Sequence, residues 1–143
     1  MSRSDLGTRS PMSSPQVVQE SDVPLESWSD PVRGDVGFRT LFGAGERATD
    51  ALTLGTTELP PGGWLGLHRH APAEVYYVLE GEAVVTLAGA DHTVRAGSAV
   101  FIPGGAEHGI RNTGDELVRF VYAFPVGSFE DVVYEFSRED TSA

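Results

Sequence analysis

The chain has 143 residues, with 10 Lys or Arg against 21 Asp or Glu and a formal net charge of −11. This balance argues against nucleic-acid binding, because proteins that bind a phosphate backbone normally carry a basic face. The absence of cysteine from the sequence excludes disulfides, thiolate zinc sites and a cysteine nucleophile.

Residues 1–24 are rich in Ser, Pro, Arg, Gln and Asp. Such a segment buries too little apolar area to offset its ordering entropy, so we predict a flexible leader. It lacks the apolar stretch of a signal peptide, and no apolar run in the chain approaches the ~20 residues that cross a bilayer. We therefore expect a cytoplasmic protein with no membrane partner, in which residues 25–143 form one domain.

From Trp28 onward, short apolar runs alternate with Gly and Pro. Many of these runs are rich in Val, Tyr, Phe and Thr, and turn residues separate them at the spacing typical of an all-β sandwich or barrel. A helical turn at 128–131 and a strand at 132–136 are predicted at the end. The earlier predicted strands cover residues 37–42, 51–59, 64–70, 75–79, 83–87, 99–102 and 117–124.

Three of the four histidines occupy positions that suggest chemistry. His68 and His70 are two apart on a predicted strand, so both side chains leave the same face. Glu74 opens the next run, and His108 follows a Pro-Gly-Gly turn. Imidazole and carboxylate ligands suit a divalent transition metal such as Fe, Mn, Ni, Cu or Zn. His92, by contrast, lies in a predicted hairpin turn and is interpreted as solvated.

Two longer motifs surround these residues. The first is Gly62, His68-Arg69-His70, Glu74 and Gly81; the second is Gly97, Pro103-Gly104-Gly105, His108 and Asn112. In both residues and spacings they resemble the two motifs of the cupin superfamily. The resemblance implies a jelly-roll β-barrel that binds one metal ion through His68, His70, Glu74 and His108. Gly62, Gly81 and Gly97 would mark turns where a Cβ is costly.

Strand alternation predicts which other side chains share the cavity. If His68 and His70 point inward, so does Trp64; if Glu74 points inward, so does Tyr76. Tyr76 is then either a general base near the metal or a tyrosine that packs the barrel interior. Trp64 is either a core residue or part of a substrate site.

Residues 52–136 also resemble the small cupin lyases that cleave dimethylsulfoniopropionate. The similarity implies that the metal (Fe, Mn, Ni or Zn) holds the carboxylate of a small substrate, that Tyr76 removes the adjacent proton and that Tyr134 assists. Trp64 and Tyr122 are candidate contacts for the sulfonium group, and the resemblance suggests a homodimer. The matching strings are Glu58-Leu59-Pro60-Pro61-Gly62-Gly63, Pro72-Ala73-Glu74-Val75-Tyr76, Ala106-Glu107-His108, Phe124-Pro125 and Val133-Tyr134.

Three other functions use the same four ligands. An Fe(II)-dependent dioxygenase would admit oxygen at an open metal position. A sugar or uronate isomerase or lyase would need cationic groups around the metal, for which Arg39, Arg111 and Arg119 are the candidates. A non-catalytic ligand-binding module is the third alternative.

Overall fold

Eleven β-strands dominate the computed structural model, which describes residues 14–138. Three single turns of 3₁₀ helix, Glu20–Asp22, Gly45–Arg47 and Phe129–Asp131, complete its regular structure. The strands are β1 (Glu26–Asp30), β2 (Gly34–Phe42), β3 (Thr53–Leu59), β4 (Trp64–Arg69), β5 (Glu74–Glu80), β6 (Glu82–Leu87), β7 (Ala90–Arg95), β8 (Ala99–Ile102), β9 (His108–Arg111), β10 (Val118–Phe124) and β11 (Glu135–Phe136).

All strands belong to one curled sheet whose main order is β7-β6-β9-β4-β2-β3-β10-β5-β8. The strand β1 pairs with β2, β11 pairs with β4, and the pairings among the described residues are antiparallel. Strands distant in sequence, such as β4 and β9, thus lie side by side. The prediction of an all-β barrel of the jelly-roll type is confirmed.

The apolar runs coincide with β2 to β6, β8 and β10, whereas β1, β7 and β9 carry no apolar run that predicts them. The strand β7 is a largely exposed partner of β6, so it lacks the apolar alternation on which the prediction relies. His92 is exposed as predicted, but it lies on β7 opposite Val85 rather than in a turn.

Alternate residues of the long strands face the interior. On β10 the buried side chains are Val118, Phe120, Tyr122 and Phe124, and the residues between them are only partly covered. Gly81 shows why one predicted turn requires glycine: its φ is +84°, and a Cβ would lie 2.6 Å from the Leu117 carbonyl oxygen. Gly62 and Gly97 also have positive φ angles, of +78° and +91°.

The predicted leader lies partly outside the described residues. Within its described part, Val23 is only 7% exposed, and the Glu20 carboxylate accepts hydrogen bonds from Thr56 and Arg119. Flexibility of residues 1–24 therefore stays a prediction, and these contacts provide a direct test of it. No helix in residues 14–138 is long and apolar enough to span a membrane.

Two valines of the same segment make a matched pair for this test. Val23→Asp places a charge at a buried position and should lower the melting temperature by about 5 °C or more, since burying an unpaired charge costs at least 1–2 kcal/mol. Val17→Asp, at a fully exposed position, should leave it unchanged. Thermal unfolding of both variants measures the difference, and equal melting temperatures would show that Val23 does not pack against the barrel.

Candidate metal centre

Four buried side chains converge in the barrel interior. His68 lies on β4, His70 follows that strand, Glu74 begins β5 and His108 begins β9. One ligand atom from each lies within 4.8 Å of the others. Because His68 and His108 are direct partners across β4 and β9, sheet register brings two sequence-distant imidazoles together. The four predicted ligands therefore form one cluster.

Backbone contacts between two loops hold His70 in place. The Gly105 amide donates to the His70 carbonyl oxygen at 2.8 Å. Gly104 lies so close to the loop after His70 that a Cβ would be 2.2 Å from the Ala71 carbonyl oxygen. The Pro-Gly-Gly turn thus allows close backbone approach as well as a change of chain direction.

The backbone also fixes the tautomer of each imidazole. In His68, His70 and His108 the Nδ1 atom lies within hydrogen-bond distance of a backbone carbonyl oxygen. A carbonyl oxygen only accepts, so each Nδ1 carries the proton and donates it, and the Nε2 atom of the neutral ring presents its lone pair to the cluster. The respective acceptors are Gly66 at 2.6 Å, Pro72 at 2.9 Å and Ala106 at 2.9 Å.

The electrostatics differ between the rings. Burial, aided by the neighbouring His108, lowers the pKa of His68 to about 3, so this ring is neutral. Burial also acts to lower the pKa of His70, but the hydrogen bond and negative charge of Glu74 outweigh it and raise that pKa. The Nε2 atoms of His70 and His108 lie 3.1 and 3.2 Å from Glu74 Oε1.

This donor set fits a divalent transition metal. Three lone pairs and one carboxylate point at a common centre, and the buried His68 Nε2 has no hydrogen-bond partner. A buried polar atom without a partner is costly. A cation shared by the four ligands would give His68 Nε2 a partner and would remove the repulsion between the Nε2 lone pairs of His70 and His108 and the Glu74 carboxylate. Imidazole and carboxylate ligands are those that Fe, Mn, Ni and Zn accept in proteins.

Beside the cluster lies a narrow cavity of about 20 Å³ with an aromatic wall. Tyr76 projects into it from β5, Tyr122 from β10 and Tyr134 from the segment before β11. The Tyr134 ring stacks on His68 at a centroid distance of 4.7 Å, and the Tyr76 ring meets His108 edge-on at 6.3 Å. Three predicted functional tyrosines are thus brought together.

The hydroxyl groups of these tyrosines have different surroundings. The Tyr76 hydroxyl is buried without a hydrogen-bond partner, whereas the Tyr122 hydroxyl pairs with Thr40 Oγ1 at 2.8 Å. Burial, reinforced by the charge of Glu74, raises the pKa of Tyr76 and of Tyr134 well above the ordinary value. In the protein alone, both side chains are therefore neutral phenols.

Trp64 lies outside this cavity, so its predicted placement is wrong. It lines an external groove with Leu67 and Arg111, while Leu65 lines the cavity instead. The physical cause is a register irregularity between Leu65 and His68 in the pairing of β4 with β9. Strict alternation from His68 back to Trp64 fails across such a bulge.

An aromatic residue of the cavity that the sequence did not indicate is Trp28. It lies on β1 and contacts Tyr134 edge-on at 5.4 Å. The guanidinium of Arg33, held by Asp30, lies 5.0 Å from the centre of the Trp28 ring. The residues around Trp28 are polar, so no apolar alternation indicates that it lines the cavity. The one signal in the sequence is a tryptophan where the apolar runs begin.

Comparison with known proteins defines the class. Residues 55–124, which include the four clustered ligands, match the Cupin domain family. The chain is similar in structure to polyketide cyclase RemF from Streptomyces resistomycificus, with a TM-score of 0.75 and 25% identity, covering 90% of this chain and 89% of that one. The chain belongs to the cupin family.

Particular relatives share more of the sequence. The chain is 44% identical over 123 residues to dimethylsulfoniopropionate lyase DddW from Ruegeria pomeroyi, which covers 86% of this chain and 80% of that protein. It is 33% identical over 108 residues to an oxalate-binding protein from Thermotoga maritima, covering 73% and 89% respectively.

Elemental analysis tests the metal centre. We expect about one divalent transition-metal ion per chain in the native protein, and a sharp loss of metal in His68→Ala and His108→Ala because each removes a buried nitrogen ligand. His92→Ala, which changes an exposed histidine on β7, is the matched control and should retain the metal. Chelation should lower the melting temperature of the native protein but not of His108→Ala. Equal metal content in His108→Ala and the native protein would refute this site.

Proposed function

We propose that the protein is a metal-dependent carbon–sulfur lyase that converts dimethylsulfoniopropionate to acrylate and dimethyl sulfide. The observation that carries the proposal is the aromatic cavity beside the His68, His70, Glu74 and His108 cluster, with a buried, unpartnered tyrosine hydroxyl on its wall. The 44% identity to a lyase with this activity supports it.

The metal, one ion of Fe, Mn, Ni or Zn, would be held by the four clustered ligands. When bound, it supplies a Lewis acid that stabilises the negative charge developing on the substrate carboxylate as the neighbouring proton leaves. The protein contributes the orientation of that ion, because backbone carbonyls fix every imidazole.

Tyr76 is the proposed general base. As a phenolate it would take the proton from the carbon next to the carboxylate; the electron pair of that C–H bond forms the carbon–carbon double bond, and the C–S bond breaks with its electrons going to sulfur. The products are acrylate, neutral dimethyl sulfide and a protonated Tyr76. Because burial and Glu74 hold Tyr76 as a phenol in the protein alone, a positive charge must reach the cluster before this residue can act as a base. Tyr134, stacked on His68, would assist by orienting the substrate or sharing the proton.

The cavity wall suits a cationic substrate group. Glu74 is its one charged residue among those described, and the rest of its lining is largely aromatic, including Trp28 and Tyr122. Aromatic faces attract a sulfonium by the same electrostatics by which they attract ammonium groups. A sugar or uronate would instead call for cationic partners, and Arg39, Arg111 and Arg119 lie in ion pairs away from the cavity.

Entry of substrate requires movement, because the cavity has room for about one water molecule. Phe129 and Tyr134 belong to the C-terminal segment, which joins the sheet through the two-residue strand β11. This segment is the part of the wall with the fewest strand pairings to break.

Substitution of Tyr76 tests the proposed chemistry. Tyr76→Phe removes one oxygen and should leave fold and metal content intact, while the rate of dimethyl sulfide release falls about 10²–10⁴-fold, the usual cost of losing a positioned general base. Tyr134→Phe should cost less. Tyr77→Phe, on the opposite face of β5, is the matched control and should retain full activity. The assay is headspace dimethyl sulfide from metal-loaded protein.

The assay is run without oxygen, because an elimination consumes none and a dioxygenase would be inactive. Failure of the native protein to release sulfide with Fe, Mn, Ni or Zn would refute the lyase. If Tyr76→Phe releases dimethyl sulfide as fast as the native protein, the lyase proposal stands but Tyr76 is not its general base.

The oxalate-binding relative supports a second candidate, a non-catalytic module that binds a small carboxylate at the same metal. A melting temperature raised by oxalate, in a protein that releases no dimethyl sulfide, would favour it. The lack of a cationic side chain on the described cavity wall makes this the weaker proposal.

The proposed setting is the cytoplasm, since a chain without cysteine suits a reducing compartment. The proposed assembly is a homodimer.

A further inference from the structure

One outer face of the sheet is apolar and uncovered. Its residues form two rows that cross β8, β5 and β10, with the first row reaching β3. Phe101, Tyr77 and Val75 are 65, 49 and 45% exposed. Strand register defines the rows, which together we name the outer apolar patch: Phe101, Val75, Ala123 and Leu54 in one, and Ala99, Tyr77 and Val121 in the other.

The N-terminal segment covers the adjoining part of the same face. Glu20 bonds to Thr56, which continues the second row on β3. Leu25 lies against Gly37 of β2, where a Cβ would be 3.1 Å from its side chain. The chain thus covers its own outer face over β2 and at Thr56 of β3, and it leaves the patch residues of β5 and β8 exposed and those of β10 partly exposed. The exposed apolar residues are contiguous across neighbouring strands rather than scattered singly, and contiguous apolar patches mark interaction surfaces.

We infer that the outer apolar patch is the surface through which two copies of this chain associate; the inference rests on the homodimer proposed above. None of its seven residues is charged, although the chain carries a net charge of −11. Where two copies of so acidic a protein meet on an uncharged face, they avoid close contacts between like charges. A basic partner protein would find no acidic side chain among the seven patch residues.

Geometry favours the same occupant. In a two-fold dimer one patch meets itself, which suits rows of similar side chains on antiparallel strands. The strand β8 ends the main strand order of the sheet, so no further described strand flanks that side of the patch. Residues 1–13 contain only Met1, Leu6 and Met12 as large apolar residues, too few to cover it.

Light scattering tests the surface. The native protein should have twice the chain mass of 15.3 kDa, and Phe101→Arg and Tyr77→Arg should each shift it to the monomer mass while retaining the metal and the folded circular dichroism spectrum. Leu67→Arg is the matched control: Leu67 is 40% exposed in the external groove on β4, and this variant should remain a dimer.

Cross-linking provides a readout that does not depend on weakening the fold. Because the chain has no cysteine, a single Tyr77→Cys substitution should give a covalent dimer with a short bis-maleimide, whereas Leu67→Cys should not. Cross-linking through Leu67→Cys alone, or through neither, would overturn the patch and leave the dimer to another surface. If the native protein is a monomer and still releases dimethyl sulfide, both the homodimer and its proposed interface are wrong, while the proposed lyase activity stands.

Discussion

The three hydrogen bonds from histidine Nδ1 atoms to backbone carbonyls are the constraint on which the site depends. They are local, each spanning two residues, and each leaves the Nε2 lone pair of its ring available to the cluster. With all three rings neutral in these tautomers, the cluster has four acceptors and no donor of its own, a combination that is unfavourable in a buried place unless a cation occupies it. The metal affinity is thus a property of the backbone as much as of the side chains.

The charge and polarity of the cavity wall beside that cluster determine which substrates it can accept. Its wall offers aromatic faces and one carboxylate that is committed to the cluster, so a second cationic centre finds partners there while a second anionic centre does not. A molecule that carries a carboxylate at one end and a positive charge at the other satisfies both halves of the site. The two tyrosines near the histidines lie where those halves meet.

Much of the site could be predicted from sequence because its parts are encoded locally. His68 and His70 share a face by simple alternation, and the spacing to Glu74 and the Pro-Gly-Gly turn before His108 limits where those ligands lie. Tyr76 followed from Glu74 by the same alternation and does line the cavity. The position of Trp64 could not be predicted in this way, because a bulge shifts the register of β4 by one residue and strand alternation does not reveal a bulge. Trp28 lies on β1, which pairs with β2 in a short hairpin; its neighbours are polar, so no apolar alternation predicts that strand. The strand β9 could not be predicted because β4 and β6, both distant in sequence, hold it in the sheet. The strand β7 could not be predicted because it is the largely exposed partner of its neighbour β6 and lacks apolar alternation.

The stacking of Tyr134 on His68, together with the pairing of Phe136 opposite His68, couples residues 134–136 to the ligand cluster. The Ser137 amide donates to the Leu67 carbonyl oxygen at 2.9 Å, so this edge of the sheet opens only if the strand that carries His68 gives up its outer partner. A metal ion bound to His68 would fix the imidazole ring. Opening of this edge would then have to break or strain the bond between the ring and the metal, so local opening would become rarer. Hydrogen exchange at β11 should therefore slow when a metal ion binds the cluster, because residues 134–137 help to hold the His68 ligand in place.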